Sequence, residues 1–294
     1  MKIDFSVAIV TWNRAEELKR ALDSCVKQSY KPIEIVIVDN DSTDETSEVV
    51  ANFKDDAQDN LISLKYIKIH KNIGCPPARN IALANCTGDY IYALDDDGYL
   101  DVDALYYINK TILLSIPSKQ PVIVSSQIRT PQKENIGFSS TDLCKRNIFS
   151  AGACAYRRTY LAKGNYFPEY FRQMEESRFA YKAWFDGEVI LFQPLSVMYH
   201  EKTLKGRSMY LEVKYNFLHD IENISSQVGF LSSLLIFPIK TISHFKSYAG
   251  LRSFSTLFFI KDFFIALFKL FLTKKEMESS FFEYLNFSKG KTRV

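Results

Sequence analysis

The stretch "YIYALDDDGYL", residues 90–100, decides the fold. Its apolar run is too continuous for a strand with one wet face. It reads as a strand buried on both sides, and such strands belong to parallel sheets covered by helices. The run passes without a break into three carboxylates, Asp95, Asp96 and Asp97, followed by a glycine. Adjacent anions at the rim of a core repel one another, so the cluster is expected to be strained unless a cation completes it. Hard divalent ions such as Mn²⁺ and Mg²⁺ take oxygen ligands and often bridge to substrate phosphates. If the chain stays extended, Asp95 and Asp97 share a face and Asp96 points away. A lone strand-end Asp is more often a turn cap; three in succession weaken that reading.

Outward from this stretch the same grammar repeats. "SVAIVTW" (6–12) and "IEIVIVD" (33–39) are further buried strands, and "LKYIKIH" (64–70) alternates as a third. Between them lie "RAEELKRALDSCVKQ" (14–28), with Leu18, Ala21, Leu22 and Cys25 at helical spacing, and "STDETSEVVANF" (42–53), with Ser42 or Thr43 as the expected cap. "PPARNIALANC" (76–86) opens with prolines, which suit a first helical turn. The pattern predicts an α/β fold, a Rossmann-like, mostly parallel sheet flanked by helices. Ligands bind at the carboxyl ends of such strands. Three of these ends are polar, Thr11-Trp12-Asn13, Asp39-Asn40-Asp41 and Asp95-Asp96-Asp97, and they should share one edge. Beyond Asp101 the expectation is a helix (102–115), a strand (121–128), a loop (129–145) and a small-residue strand (148–158) that something approaches closely. A helix (175–187) and a strand (188–200) ending on His200 follow.

The 294 residues fit one large domain, 1–222, with a helical extension, 223–294. The net charge is +3, unevenly spread: 14 basic against 8 acidic residues from Glu201 onward, and 23 against 26 before it. Five scattered cysteines without a CxxC pair read as reduced thiols, and the start "MKIDFSVAIVTW" shows no signal-peptide core, so a cytosolic chain is expected. No GxGxxG follows the first strand, which argues against a dinucleotide-dependent oxidoreductase, and no glycine-rich triphosphate loop marks a nucleotidyltransferase. Basic residues in the tail cluster with Phe and Leu rather than along a polar groove, which argues against a nucleic-acid partner.

That tail holds two apolar segments, 229–245 and 254–272. Lys261, Asp262 and Lys269 fall on one side of the second, as the polar stripe of a helix lying in a membrane interface rather than spanning it. Lys240, Lys246, Arg252, Lys274 and Lys275 flank the segments and suit an anionic inner leaflet, hence a peripheral position on the inner face of the cell membrane. The alternative is a helical hairpin packed on the chain itself or on a homodimer partner.

The ordered set "VAIVTWNR", "IEIVIVDNDSTDET", "NIGCPPARNIALANCTGDYIYALDDD", "GNYFPEYFRQMEESRFAYKA" and "VMYH" resembles the family 2 glycosyltransferases of GT-A fold over residues 6–200, of the kind that build bacterial surface polysaccharides. The resemblance implies a nucleotide site at Thr11, Trp12, Asn13, Asp39 and Asn40, with Asp39 accepting from a base ring N–H. Arg79 orders the base or phosphate or, alternatively, pairs with the acids. Asp95 and Asp97 match the metal-binding Asp-x-Asp that grips the donor diphosphate through Mn²⁺ or Mg²⁺, with Asp96 beside them. His200 is a third metal ligand or a structural hydrogen-bonder. The family usually has Glu-Asp where this chain has Glu175-Glu176, so Glu176 stands at the catalytic base with Glu175 as its alternative. The implied reaction is inverting transfer from a nucleoside-diphosphate sugar, UDP first with GDP and dTDP as alternatives, to a saccharide or lipid-linked saccharide. The rival is a catalytically decayed, membrane-recruited sugar-nucleotide-binding module.

Overall fold

The structure is a computed structural model that describes residues 2–115, 119–201, 208–228, 230–249, 256–272 and 281–289. In chain order its elements are β1 (Phe5–Thr11), α1 (Ala15–Val26), β2 (Glu34–Asn40), α2 (Thr46–Asn52), α3 (Lys54–Asp59), β3 (Ser63–Ile69), α4 (Cys75–Ala84), β4 (Tyr90–Asp95), β5 (Gly98–Leu100) and α5 (Ala104–Ser115). Then come β6 (Ile123–Arg129), β7 (Asn135–Ile136), β8 (Cys144–Arg146), β9 (Ala153–Arg157), α6 (Arg158–Leu161), α7 (Glu175–Phe185), β10 (Ile190–His200), α8 (Met209–Val228), α9 (Phe230–Ala249), α10 (Thr256–Leu272) and α11 (Phe281–Ser288).

These elements form two compact units: Met1–Phe171 with Glu188–Thr203, and Arg172–Gly187 with Leu204–Val294. Compactness thus divides the chain otherwise than at residue 222, because α7 goes with α8. His219 Nδ1 lies 3.0 Å from the Gln173 carbonyl, and the Asn223 amide donates to the Met174 carbonyl at 2.9 Å.

The first unit is one sheet in the order β3-β2-β1-β4-β9-β6-β10-β5, with β7 on β6 and β8 on β10. Strands β3, β2, β1 and β4 run parallel, β9 is antiparallel to both neighbours, and β6 and β10 are parallel again. This is the mostly parallel, helix-flanked architecture expected. Continuous apolar runs explain the middle: every residue of β2 is buried, as are Phe5, Val7, Ile9, Tyr92 and Leu94. Leu18, Ala21, Leu22 and Cys25 of α1 pack into the same cluster. At the edge, the expected loop 129–145 gains two short strands, β7 and β8, which pair open edges of β6 and β10 that an isolated sequence segment does not reveal. The second helix starts at Thr46 rather than near Ser42, because Asp44 is the capping acceptor. Its carboxylate takes the Thr46 N–H at 3.2 Å and the Ala15 N–H at 3.1 Å, tying α2 to α1.

In the second unit, α8, α9 and α10 pack around Phe217, Leu218, Ile221, Phe237, Tyr248, Ala266 and Leu270. The polar stripe expected to face water behaves otherwise. Asp262 is fully buried and accepts from Tyr248 at 2.7 Å and Tyr210 at 3.0 Å, and Lys269 pairs with Glu222. A buried carboxylate needs donors, and the neighbouring helices supply them. Lys261 stays exposed; Arg252, Lys274 and Lys275 lie outside the described residues.

The amino ends of the central strands are locked by Glu34. One of its oxygens accepts from Ser6 Oγ at 2.5 Å, Thr87 N at 2.5 Å and Thr87 Oγ1 at 2.8 Å. Desolvation works to raise its pKa, and these hydrogen bonds outweigh it, holding Glu34 below the usual carboxylate range. A depressed folded value means the stabilisation is complete above an ordinary carboxylate pKa of about 4.3 and is lost as pH falls through the folded value. Glu34→Gln should therefore cost about 1–3 kcal/mol in urea unfolding at neutral pH. The gap from wild type should close below about pH 4.

Candidate functional site

Strand register brings the polar ends together. Thr11 sits opposite Asp39 on one side, and Val10 opposite Asp95 on the other. The turn after β1 is bound to the turn after β2: Asn13, at φ 53°, donates its N–H to Ser42 Oγ at 2.9 Å, and its side-chain oxygen accepts from Thr43 N at 2.7 Å. So Ser42 and Thr43 hold the two strand ends in register rather than cap a helix. Trp12 projects from this turn, 41% exposed, an aromatic face available for stacking. The Thr11 hydroxyl is buried and has no hydrogen-bond partner among the described residues. A ligand oxygen or nitrogen would satisfy it.

Asp39 is fully buried. One oxygen accepts the Ser42 N–H at 2.7 Å, the turn cap weighed as its alternative role; the other accepts from Tyr66 OH at 2.5 Å, with Lys68 Nζ 3.8 Å away. Burial and this carboxylate together push the Tyr66 phenol well above its ordinary range, so it stays protonated as a donor. Asn40 is placed differently from a base contact. Its amide bonds Asn72 at 3.1 Å and the Gly74 carbonyl at 3.3 Å, and its oxygen accepts Ile73 N at 3.0 Å. It latches the turn that starts α4. Gly74 there has φ +91°, and a side chain would run into the Phe171 backbone.

At the end of β4 the three acids are met by two arginines. Arg14 bridges Asp96 at 2.7 Å and Asp97 at 3.0 Å. Arg79, from α4, pairs with Asp95 at 2.7 Å, the alternative role weighed for it. Guanidinium groups therefore share the work expected of a cation alone. Burial pushes the Asp96 carboxyl up to about 6, with Asp97 and Asp95 adding to the rise and Arg14 opposing it. The chain turns after Asp95 instead of staying extended, so the expected alternation does not hold: Asp96 and Asp97 are both buried and share Arg14, and Asp95 is the most exposed of the three. Asp97 meets His200, whose Nε2 lies 2.8 Å from Asp97 Oδ1.

One ligand atom from each of Asp95, Asp97 and His200 lies within 4.8 Å of the others. Ligands held at about 2.1 Å by one octahedral ion are themselves about 3–4.2 Å apart, so a small closure would seat a hard divalent cation. Two carboxylates and an imidazole suit Mn²⁺ or Mg²⁺. A cradle confirms that Asp95 has an assigned place: a Cβ on Gly152 would overlap its carboxylate, and the Gly152 carbonyl accepts the Asp95 N–H at 3.0 Å. The group expected to approach the small-residue stretch closely is Asp95 itself.

Glu175 and Glu176 belong to the second unit, in the first turn of α7. Gln173 and Met174 before them are both at positive φ, 71° and 66°, an unfavourable conformation for non-glycine residues. His219 and Asn223 of α8 brace the two carbonyls.

Sequence reading missed Arg14 and the specific role of Gly152. The signal for Arg14 was its position directly after a polar strand-end turn, in a chain with unbalanced acids at the next strand end.

Residues 6–113 match the family model "Glycosyl transferase family 2". The poly(ribitol-phosphate) beta-N-acetylglucosaminyltransferase TarS of Staphylococcus aureus (strain Mu50) is 27% identical over 214 residues, 70% of this chain and 36% of TarS. The chain thus spans about a third of the length of that relative. Among solved structures, S. aureus TarS 1-349 in complex with UDP superposes with a TM-score of 0.61 at 20% identity, covering 90% of this chain and 81% of that one. GalNAc-T7 with UDP, GalNAc and Mn2+ superposes with a TM-score of 0.64 at 17% identity, covering 93% and 55%. At these identities the structural likeness shows the shared fold, the GT-A architecture expected.

Gly152→Ala should displace the Asp95 carboxylate and weaken Mn²⁺ binding, read by electron paramagnetic resonance, by about 10–100-fold with little change in melting temperature. Unaltered Mn²⁺ affinity would mean that Asp95 does not ligate from this position.

Proposed function

We propose, from the match of residues 6–113 to the family model "Glycosyl transferase family 2", that the chain transfers a glycosyl group, with inversion, from a nucleoside-diphosphate sugar to a hydroxyl of a saccharide or lipid-linked saccharide in surface-polysaccharide assembly. The observation that carries the proposal is the Asp95–Asp97–His200 cluster at the strand ends, beside the buried Thr11 hydroxyl. UDP is the preferred carrier, since TarS and GalNAc-T7 both have structures with UDP.

Each residue has a chemical task in this reading. Asp39, fixed by Ser42 and Tyr66, presents a rigid anion to a base ring N–H, and Trp12 offers the base a stacking face. Arg79 keeps Asp95 oriented and Arg14 keeps Asp96 and Asp97 oriented, so the carboxylates are preorganised. Asp95, Asp97 and His200 would hold Mn²⁺ or Mg²⁺. When bound, that ion supplies charge neutralisation for a departing diphosphate. Glu176, or its neighbour Glu175, takes the proton of the acceptor hydroxyl, a role carried over from the sequence resemblance. Both sit at a helix amino terminus, where the dipole favours the ionised form that a base requires. A single displacement with one base and no protein nucleophile inverts the anomeric centre.

The test is nucleoside-diphosphate release from a panel of sugar nucleotides, with Mn²⁺, Mg²⁺ or EDTA and a membrane lipid extract as acceptor source. Release from one donor should vanish with EDTA and fall at least about 100-fold in Asp97→Asn. Tight UDP and Mn²⁺ binding without release from any donor would favour the decayed binding module instead.

A further inference from the structure

Helices α8, α9 and α10 enclose polar groups beside their apolar core and leave large apolar side chains exposed. On α9, Lys240 and His244 turn toward α8 and both meet Asp220 at 3.0 Å. On α10, Asp262 receives the Tyr210 and Tyr248 hydroxyls, and Lys269 pairs with Glu222 of α8. The opposite sides carry the large apolar side chains: Leu235, Ile239 and Ile242 are 65%, 66% and 63% exposed, and Phe264 and Phe268 are 61% and 65%. Their spacing, 235-239-242 and 260-264-268-271, is that of one stripe per helix. The helices touch through Phe237 with Phe263 and Phe245 with Phe259. A soluble helix pair places its stripes the other way round.

Charge decides what covers this face. Among the described residues of α9 and α10, the exposed charged side chains are Lys246 and Lys261. Lys246 continues the α9 stripe, and Lys261 adjoins Ile260. Of the acids of α8 and α10 that face these helices, Asp220 and Asp262 are buried and Glu222 is paired with Lys269. A second copy on a two-fold axis would bring the same patch to itself, lysine toward lysine, with no exposed acid on the face to answer them. A bilayer rich in anionic lipid answers both needs, acyl chains for the rings and phosphates for the lysines. Among the described residues, no helix is long and apolar enough to cross a membrane. The helices would therefore lie along the surface, α9 over about 30 Å and α10 over about 25 Å.

We propose that the outward face built from Leu235, Ile239, Ile242, Ile260, Phe264 and Phe268 seats this unit in the headgroup–acyl boundary of an anionic bilayer, with Lys246 and Lys261 on lipid phosphates. The seat needs neither sugar donor nor cation, so it stands or falls apart from the transfer reaction.

The test is co-sedimentation of the full chain with phosphatidylcholine vesicles, with and without phosphatidylglycerol. Circular dichroism and UDP binding serve as controls for folding. The wild type should partition onto the anionic vesicles and be released by salt. Phe264→Glu with Phe268→Glu should lower partition at least about tenfold onto both kinds of vesicle. Lys246→Glu with Lys261→Glu should lower it only where phosphatidylglycerol is present. No vesicle binding by the folded wild type, or equal binding by the Phe264→Glu/Phe268→Glu variant, overturns the proposal. A wild-type dimer that the phenylalanine substitutions dissociate, with vesicles left unbound, overturns it too and assigns the face to a second copy.

Discussion

Three carboxylates at the rim of a buried strand are the constraint that the first unit is organised around. Desolvated like charges raise one another's energy, and the cost falls only if counter-charges arrive with good geometry. Arg14 comes from the turn after β1, Arg79 from α4, and His200 from the far end of β10. Two guanidinium groups against three carboxylates still leave one negative charge in excess, and Asp95, the most exposed of the three, stands close to the buried Asp97 and to His200. A cation with a diphosphate is a chemically consistent complement to such a cluster.

Charge alone does not place these groups; backbone detail does. Gly152 leaves the volume that the Asp95 carboxylate fills, and Gly74 lets the start of α4 press against the Phe171 backbone. Asn40 spends its amide on the 72–74 turn, so the helix that carries Arg79 begins in a defined place. Asn13 and Ser42 exchange contacts between two strand ends and hold Asp39 beside Thr11. The acids of the site are held by side chains from other elements, Arg14, Arg79 and His200.

The second unit obeys the same rule of satisfied buried charge within its own helices. Asp220 and Asp262 draw Lys240, His244, Tyr210 and Tyr248 inward. Phe237, Ala266 and Leu270 turn inward beside them, and the stripes of Ile, Leu and Phe on α9 and α10 are left exposed.

The strand–helix alternation, the parallel sheet and the meeting of three polar strand ends were legible from residues 6–100, because periodicity and apolar runs are local properties and parallel topology fixes which ends converge. The division of Asp95 and Asp97 from Asp96 was not, because the chain turns after Asp95 instead of continuing as an extended strand. Other features depend on residues far apart in the chain: Arg14 on Asp96 and Asp97, the Gly152 cradle, the Asn40 latch, the edge strands β7 and β8, and the inward turn of the α10 polar stripe. A helical wheel shows that Lys261, Asp262 and Lys269 share a side, yet only Tyr210, Tyr248 and Glu222 decide that Asp262 and Lys269 face protein rather than water. The sequence by itself determined the elements and the chemistry available at their ends. The tertiary structure decided which charges meet, because a buried charge chooses its partner by distance in space and not by distance along the chain.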